Sequence, residues 1–155
     1  EQAIVDVRWA DWNSSGVSDL LLLGVDLGMG TLARALLSKS VSLSLFVQPI
    51  SQNGFDDARI IWTFTAPIDG SEDVDYDVGF DWTGDGLPDM LLLQGGQLEL
   101  YANQGRSISE SQSAQIAVQG SQKLKVFDTD NGHFALTWGK NSKLLHLTWL
   151  GQRPF

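Results

Sequence analysis

The sequence is poor in the residues that build several common kinds of functional site. It has no cysteine, which excludes disulfides, thiolate metal sites and cysteine nucleophiles. Its two histidines, His133 and His146, are too few for an imidazole-rich metal centre. It has 10 basic against 19 acidic residues and a net charge of -9, which argues against binding to nucleic acid or anionic membranes, since both need positive patches.

Long apolar runs and catalytic signatures are also missing from the sequence. No stretch of about 18 apolar residues occurs, so no membrane insertion is expected. Residues 1–4 lack the basic and apolar regions of a signal peptide, and any export signal is expected to have been removed. Neither a Gly-x-Ser-x-Gly element nor a phosphate-binding loop is present, and no catalytic constellation is evident. The 155 residues, 43% of them hydrophobic, suit a folded domain.

Residues 81–89, with the sequence DWTGDGLPD, combine acidic side chains with glycine. Oxygen-bearing side chains occupy positions 1, 3, 5 and 9 of this segment: Asp81, Thr83, Asp85 and Asp89. Alternate residues of a tightly turned loop can point inward around a cation, and Gly86 at position 6 permits the sharp turn. Together with the backbone carbonyl of Leu87, these side chains are predicted to bind calcium.

Calcium suits this set of donors better than other divalent cations do. Three carboxylates offset the lost hydration of the cation, and hard oxygen donors favour Ca²⁺ over Zn²⁺. Mg²⁺ demands a strict octahedron that keeps several waters. An EF-hand is excluded because position 12 is Leu92 rather than glutamate and because strand-like sequences flank the loop. The alternative is an acidic turn held by hydrogen bonds to its own backbone, with no metal.

Residues 11–19, with the sequence DWNSSGVSD, repeat this pattern in a weaker form. The corresponding donors are the side chains of Asp11, Asn13, Ser15 and Asp19 and the carbonyl of Val17. Two carboxylates predict either weaker calcium binding or a loop held by side-chain hydrogen bonds alone. A third copy, residues 128–132, has Ala135 where Asp89 aligns and is expected to hold no metal.

The segments around these loops are predicted to be β-strands. Apolar runs follow the first two loops, and several other segments alternate apolar and polar residues with a period of two. Eleven strands are predicted: residues 4–10, 20–25, 41–47, 58–64, 77–80, 90–93, 97–101, 114–118, 123–127, 134–138 and 144–149. Residues 31–40 fit a short helix as well as an inserted loop.

Each loop opens a unit of four predicted strands, which indicates a repeating structure. The onsets at Asp81 and Asp128 are 47 residues apart, close to the roughly 40–50 residues of a propeller blade. The predicted fold class is therefore all-β, a propeller-like array of four-stranded antiparallel blades. The blades are predicted at residues 1–67 with an inserted loop at 26–40, at 68–120, and at 121–155 as a partial blade.

The pattern Asp-x-x-x-Asp-Gly-x-x-Asp ahead of a leucine-rich strand resembles the FG-GAP or VCBS repeat. This repeat is the calcium-loop blade of integrin α-subunit propellers and of many secreted bacterial proteins. Residues 77–105 match it closely, whereas the first copy departs from it at Asn13 and Ser15. The resemblance implies an extracellular, cell-surface or periplasmic protein with Ca²⁺ in its loops. Because a closed propeller needs at least four blades, the chain is expected to be part of a larger propeller or to pair with a second copy.

Two classes of function are compatible with this resemblance. The first is a calcium-stabilised, noncatalytic binding or scaffolding module that presents loops to a protein or glycan partner. The second is an accessory or catalytic part of a polysaccharide-degrading lyase or hydrolase. The six tryptophans fit a sugar-stacking surface or, more simply, packing between blades. Three alternating acids, Asp73, Asp75 and Asp77, fit either an extension of the metal site or a solvated strand edge.

Overall fold

A computed structural model describes residues 2–68, 74–118, 123–129, 132–139 and 145–151. Antiparallel strands make up most of them, which confirms the predicted all-β fold with four-stranded antiparallel sheets. The chain divides into two compact units, Glu1–Ser71 and Glu72–Phe155. In the described part of the chain, no helix is long and apolar enough to cross a membrane.

The first unit contains one four-stranded sheet, one helix and one small hairpin. Its elements are β1 (Gln2–Ala10), β2 (Asp19–Asp26), α1 (Met29–Ser38), β3 (Ser40–Gln48), β4 (Ile50–Ser51), β5 (Gly54–Phe55) and β6 (Arg59–Pro67). The sheet has the order β1-β2-β3-β6, and every neighbouring pair in it is antiparallel. Apolar side chains alternate along its central strands, so Leu21, Leu45 and Val47 are buried on one face.

The second unit contains a four-stranded and a three-stranded sheet. Its strands are β7 (Val74–Phe80), β8 (Asp89–Gln94), β9 (Gln97–Tyr101), β10 (Ala114–Ala117), β11 (Lys123–Thr129), β12 (Gly132–Trp138) and β13 (Leu145–Gly151). The sheets have the orders β10-β9-β8-β7 and β11-β12-β13. A shared core joins them, in which Leu91, Leu93 and Leu98 of the first sheet pack with Leu124 and Ala135 of the second. Strand β8 is buried almost throughout, as its continuous apolar run requires.

All eleven predicted strands are present, and the structure resolves the ambiguity at residues 31–40 in favour of a helix, α1. The hairpin of β4 and β5 was not predicted, because each of its strands has only two residues. The third loop differs from the prediction. Asp128 belongs to β11, and Thr129 pairs with Gly132. The predicted loop of residues 128–132 is therefore shorter than expected, because Asp128, Thr129 and Gly132 belong to strands.

Candidate metal-binding loops

The two loops with acidic patterns connect their strands in the same way. In the first, Ala10 of β1 pairs with Asp19 of β2; in the second, Phe80 of β7 pairs with Asp89 of β8. Each connection therefore has eight residues between its paired ends. Positions 4 and 6 have positive φ in both loops, at Ser14 and Gly16 and at the corresponding glycines 84 and 86. The same spacing of residues thus produces the same backbone turn twice.

The carboxylate of Asp81 organises the loop at residues 81–89. Its Oδ1 accepts hydrogen bonds from the backbone N–H groups of Gly84 at 2.7 Å and Asp85 at 3.2 Å, and its Oδ2 accepts one from Gly86 at 2.8 Å. Positive φ at Gly84 and Gly86 turns these N–H groups toward one side chain. Among the described residues, the second acid, Asp85, accepts one hydrogen bond, from the N–H of Leu87 at 2.9 Å.

The carboxylate of Asp89 is buried at the base of this loop. Its Oδ2 accepts the N–H groups of Trp82 at 2.7 Å and Thr83 at 2.8 Å. Its Oδ1 accepts the N–H of Asn103 at 2.8 Å, which ties the loop to the segment after β9. Asn103 is itself buried and donates its Nδ2 to the carbonyl of Pro88 at 3.0 Å. Sequence reasoning missed this asparagine, because its partners lie 14 and 15 residues away.

The loop at residues 11–19 uses its first acid in the same manner. Asp11 accepts the N–H of Ser15 at 2.8 Å on Oδ1 and that of Gly16 at 2.7 Å on Oδ2. Asn13 Oδ1 accepts the same Ser15 N–H at 3.0 Å. The hydroxyl of Ser15 accepts the N–H of Val17 at 3.2 Å. A neutral network thus replaces the acid that stands at position 5 of the other loop.

The last acid of this loop, Asp19, differs from its counterpart Asp89. It is also buried, and its Oδ1 accepts the N–H of Ile50 at 3.1 Å. Ile50 lies two residues beyond the end of β3, just as Asn103 lies two residues beyond the end of β9. The Oδ2 of Asp19, however, has no hydrogen-bond partner within the described residues, whereas the same atom of Asp89 accepts two. The N–H of Trp12 instead bonds the carbonyl of Ala10 at 2.9 Å.

Negative charge in these loops is not balanced by basic side chains. Within the described ranges, no lysine, arginine or histidine forms an ion pair with Asp81, Asp85 or Asp89. The described residues also contain no group of three or more acidic or histidine side chains close enough to hold a metal ion. The five predicted donors of each loop therefore share one turn, but their carboxylates accept backbone N–H groups rather than converge on one point.

Asp75 and Asp77 are not on a solvated edge, which corrects that interpretation of the sequence. Both are buried on β7, and each reaches across to β11. Asp75 Oδ2 accepts the N–H of Leu124 at 2.9 Å, and Asp77 Oδ2 accepts that of Val126 at 2.8 Å. Their Oδ1 atoms accept the N–H of the next residue on β7. The two carboxylates therefore serve as hydrogen-bond acceptors for a neighbouring strand. Asp73 lies outside the described residues.

Trp12, Trp82 and His133 differ in exposure and in the residues they contact. Trp12 is fully buried, whereas Trp82 at the same loop position is 37% exposed and makes an edge-to-face contact with Phe80. His133 is buried and packs against the same Phe80, with ring centroids 4.3 Å apart and the ring planes tilted by 52°. The side chains of His146 and Trp149 lie outside the described residues. A burial-driven packing role accounts for His133 and Trp12.

Comparisons with known proteins give no relative from which a role could be transferred. No protein-family model, no curated protein and no solved structure matches the chain.

Proposed function

We propose that this chain is a noncatalytic binding or scaffolding module whose loop at residues 81–89 is stabilised by calcium. One observation carries the proposal: three carboxylates lie within nine residues and have no ion pair with any basic side chain of the described ranges. Mutual repulsion of such charges is relieved by a cation, and the oxygen donors favour Ca²⁺. Each carboxylate oxygen has two lone pairs, so an atom that accepts an N–H can also face a metal.

Calcium binding requires the acids of this loop to adjust. Asp85 is exposed and holds only the N–H of Leu87, so its side chain is free to rotate toward Asp81. Asp89 is held by three N–H groups and supplies a fixed carboxylate at the base of the loop. The loop at residues 11–19 has two carboxylates and is a weaker candidate for the same ion.

The blade-like organisation of the second unit is consistent with a propeller of the FG-GAP or VCBS type. The first strands of its two sheets, β7 and β11, run side by side and are joined through Asp75 and Asp77. Adjacent first strands are what successive blades around one axis would present. On this proposal the protein is exported or displayed at a cell surface, its partners are further blades or a second copy, and its ligand is a protein or glycan.

Thermal unfolding in calcium and in a chelator tests the calcium part of this proposal. At a dissociation constant of about 10⁻⁴–10⁻³ M, roughly 10 mM calcium stabilises the folded state by about 1.4–2.7 kcal/mol. The melting temperature should therefore rise by about 3–10 °C, and equimolar magnesium should have a smaller effect. Equal melting in calcium, magnesium and chelator would falsify calcium binding.

Matched variants separate the loop from general charge effects. Asp81→Asn and Asp85→Asn should each abolish most of the calcium response, because each removes one of three carboxylates. Asp57→Asn removes the same charge at an exposed position outside the loop and should leave the response intact.

Incubation with acidic and neutral polysaccharides tests the noncatalytic part of the proposal. Cleavage products would instead assign the chain to a degradative enzyme.

A further inference from the structure

A polar cavity lies in the first unit, between α1 and one face of its sheet. Its volume is about 520 Å³, and hydroxyl groups dominate its lining. These hydroxyls belong to Thr31, Ser38, Ser40, Ser42, Ser44 and Thr65. Protein pockets for small ligands have volumes of roughly 300–1,000 Å³ and are mostly apolar, so a cavity of this size with a hydroxyl lining suits a polar ligand.

The floor of the cavity is built by strand alternation. The three serines occupy every second position of β3 and therefore share one sheet face, while Leu45 and Val47 are buried on the other. Ser42 pairs with Thr65 of β6, and Gln2 of β1 pairs with Asp26 of β2. A row of polar side chains thus crosses all four strands at this end of the sheet.

The roof of the cavity is the polar side of α1. Residues 31, 34, 35 and 38 line the cavity and share one helical face. The large apolar residues Met29, Leu36 and Leu37 are mostly exposed, and Ala35 is the buried residue of this helix. A helix that covers a core does the reverse and turns its apolar face to the sheet. The space between α1 and β3 is therefore polar on both sides.

Two opposite charges face this space. Asp26 accepts the Thr31 hydroxyl at 2.7 Å and the Gly28 N–H at 2.9 Å. These two hydrogen bonds, that of Thr31 first, lower the pKa of Asp26, so it is a carboxylate at neutral pH. The guanidinium of Arg34 forms no hydrogen bond or ion pair within the described residues. Among the described lining residues, the cavity therefore offers one carboxylate, one guanidinium and several hydroxyl groups.

We propose that this cavity binds an uncharged saccharide of one or two sugar units. Sugar hydroxyls can donate to the carboxylate of Asp26 and accept from Arg34 and from the serine hydroxyls, because a hydroxyl group both donates and accepts. A free anion meets repulsion from Asp26, and a free cation meets repulsion from Arg34. Because no aromatic ring is among the described lining residues, a weak dissociation constant of about 1 mM is expected. The inference rests on the proposed function only in taking a glycan as partner, and it does not use the calcium loop.

Titration of ¹⁵N-labelled protein with cellobiose, maltose, lactose and chitobiose tests this site. At least one sugar should shift the amide resonances of β3 and α1 without shifting those of residues 81–89. Arg34→Ala should weaken binding about tenfold, and Ser42→Ala about threefold to fivefold, because each removes hydrogen bonds to the sugar. Both side chains are exposed, so neither substitution opens a cavity in a core, and alanine also suits the helical position of Arg34; both variants are therefore expected to fold.

Matched controls are Arg106→Ala and Ser111→Ala, which alter exposed residues of the second unit and should leave binding unchanged. Absence of shifts with all four sugars overturns the proposal, as do shifts that neither cavity variant reduces. Repeating the titration in calcium and in chelator separates the two proposals. Loss of the calcium response with sugar binding retained rejects the calcium loop alone, whereas the opposite result rejects this cavity alone.

Discussion

The hairpin of β1 and β2 and the hairpin of β7 and β8 follow the same backbone path but differ in what they bury. Both have an eight-residue connection with positive φ at positions 4 and 6, and both wrap backbone N–H groups around the first aspartate. In the first hairpin Trp12 is fully buried and the last carboxylate has an oxygen without a partner. In the second, Trp82 is partly exposed and Asp89 is fully bonded.

The residue spacing therefore determines the backbone turn of these loops, but it does not determine which interactions stabilise each loop. Glycine at position 6 and aspartate at position 1 are enough to define the turn. The first loop then depends on the burial of an aromatic ring, whereas the second depends on hydrogen bonds to Asp89 and, on our proposal, on a cation. Matched substitutions at equivalent positions therefore test whether the two loops are stabilised differently.

The largest difference is expected at the tryptophans. Trp12→Ala should lower the free energy of unfolding by about 3–5 kcal/mol, because it removes a fully buried indole and leaves a cavity. Trp82→Ala should cost only about 1 kcal/mol, since its ring is 37% exposed. Urea unfolding of both variants measures this difference. Equal losses would show that the two loops are stabilised alike.

The last aspartates should differ by a smaller amount. Asp89→Asn should lower the free energy of unfolding by about 2–3 kcal/mol, because an amide NH₂ would face the N–H groups of Trp82 and Thr83 or displace Asn103. Asp19→Asn should change it by less than about 1 kcal/mol, since the amide keeps an acceptor for Ile50 and removes a buried charge. Urea unfolding in chelator tests both, and a large loss at Asp19 contradicts the hydrogen-bond comparison.

The smallest effects are expected at the glycines of position 6, where the loops are alike. Gly16 and Gly86 have φ of 82° and 87°, and an added Cβ would meet no atom within 4 Å at either. Substitution by alanine should therefore cost about 1 kcal/mol in each loop, from backbone strain alone. Thermal or urea unfolding should give values equal within error. Clearly unequal values would mean that the loops do not share one backbone turn.

Local patterns in the sequence were sufficient to predict the strands and loops. The eleven strands follow from periodicity, and the turn of Gly95 and Gly96 follows from the tolerance of glycine for positive φ. The sequence does not distinguish a helix from an inserted loop at residues 31–40, because the alanines and leucines there are compatible with both. The same local patterns predicted too long a third loop, because they do not show that the pairing of β11 with β12 extends to Thr129 and Gly132.

Long-range partners could not be predicted from one sequence. Asp75 and Asp77 alternate with apolar residues, which is the pattern of a solvated strand face. Their acceptor role depends on amides 49 residues away, and Asn103 and Ile50 likewise reach their aspartates only after the chain has folded back. The sequence shows that these side chains are polar, but their hydrogen-bond partners depend on which distant strands and loops come together in the fold.

The carboxylates of Asp75 and Asp77 also affect how the protein behaves in crowded solution. Strands β7 and β11 are the outer strands of their sheets, and an outer strand with open N–H groups is a template for pairing with other chains. At Leu124 and Val126 these groups are already bonded to side chains. Two short acids thus link β7 to β11 and also occupy N–H groups through which another chain could pair with the edge of β11.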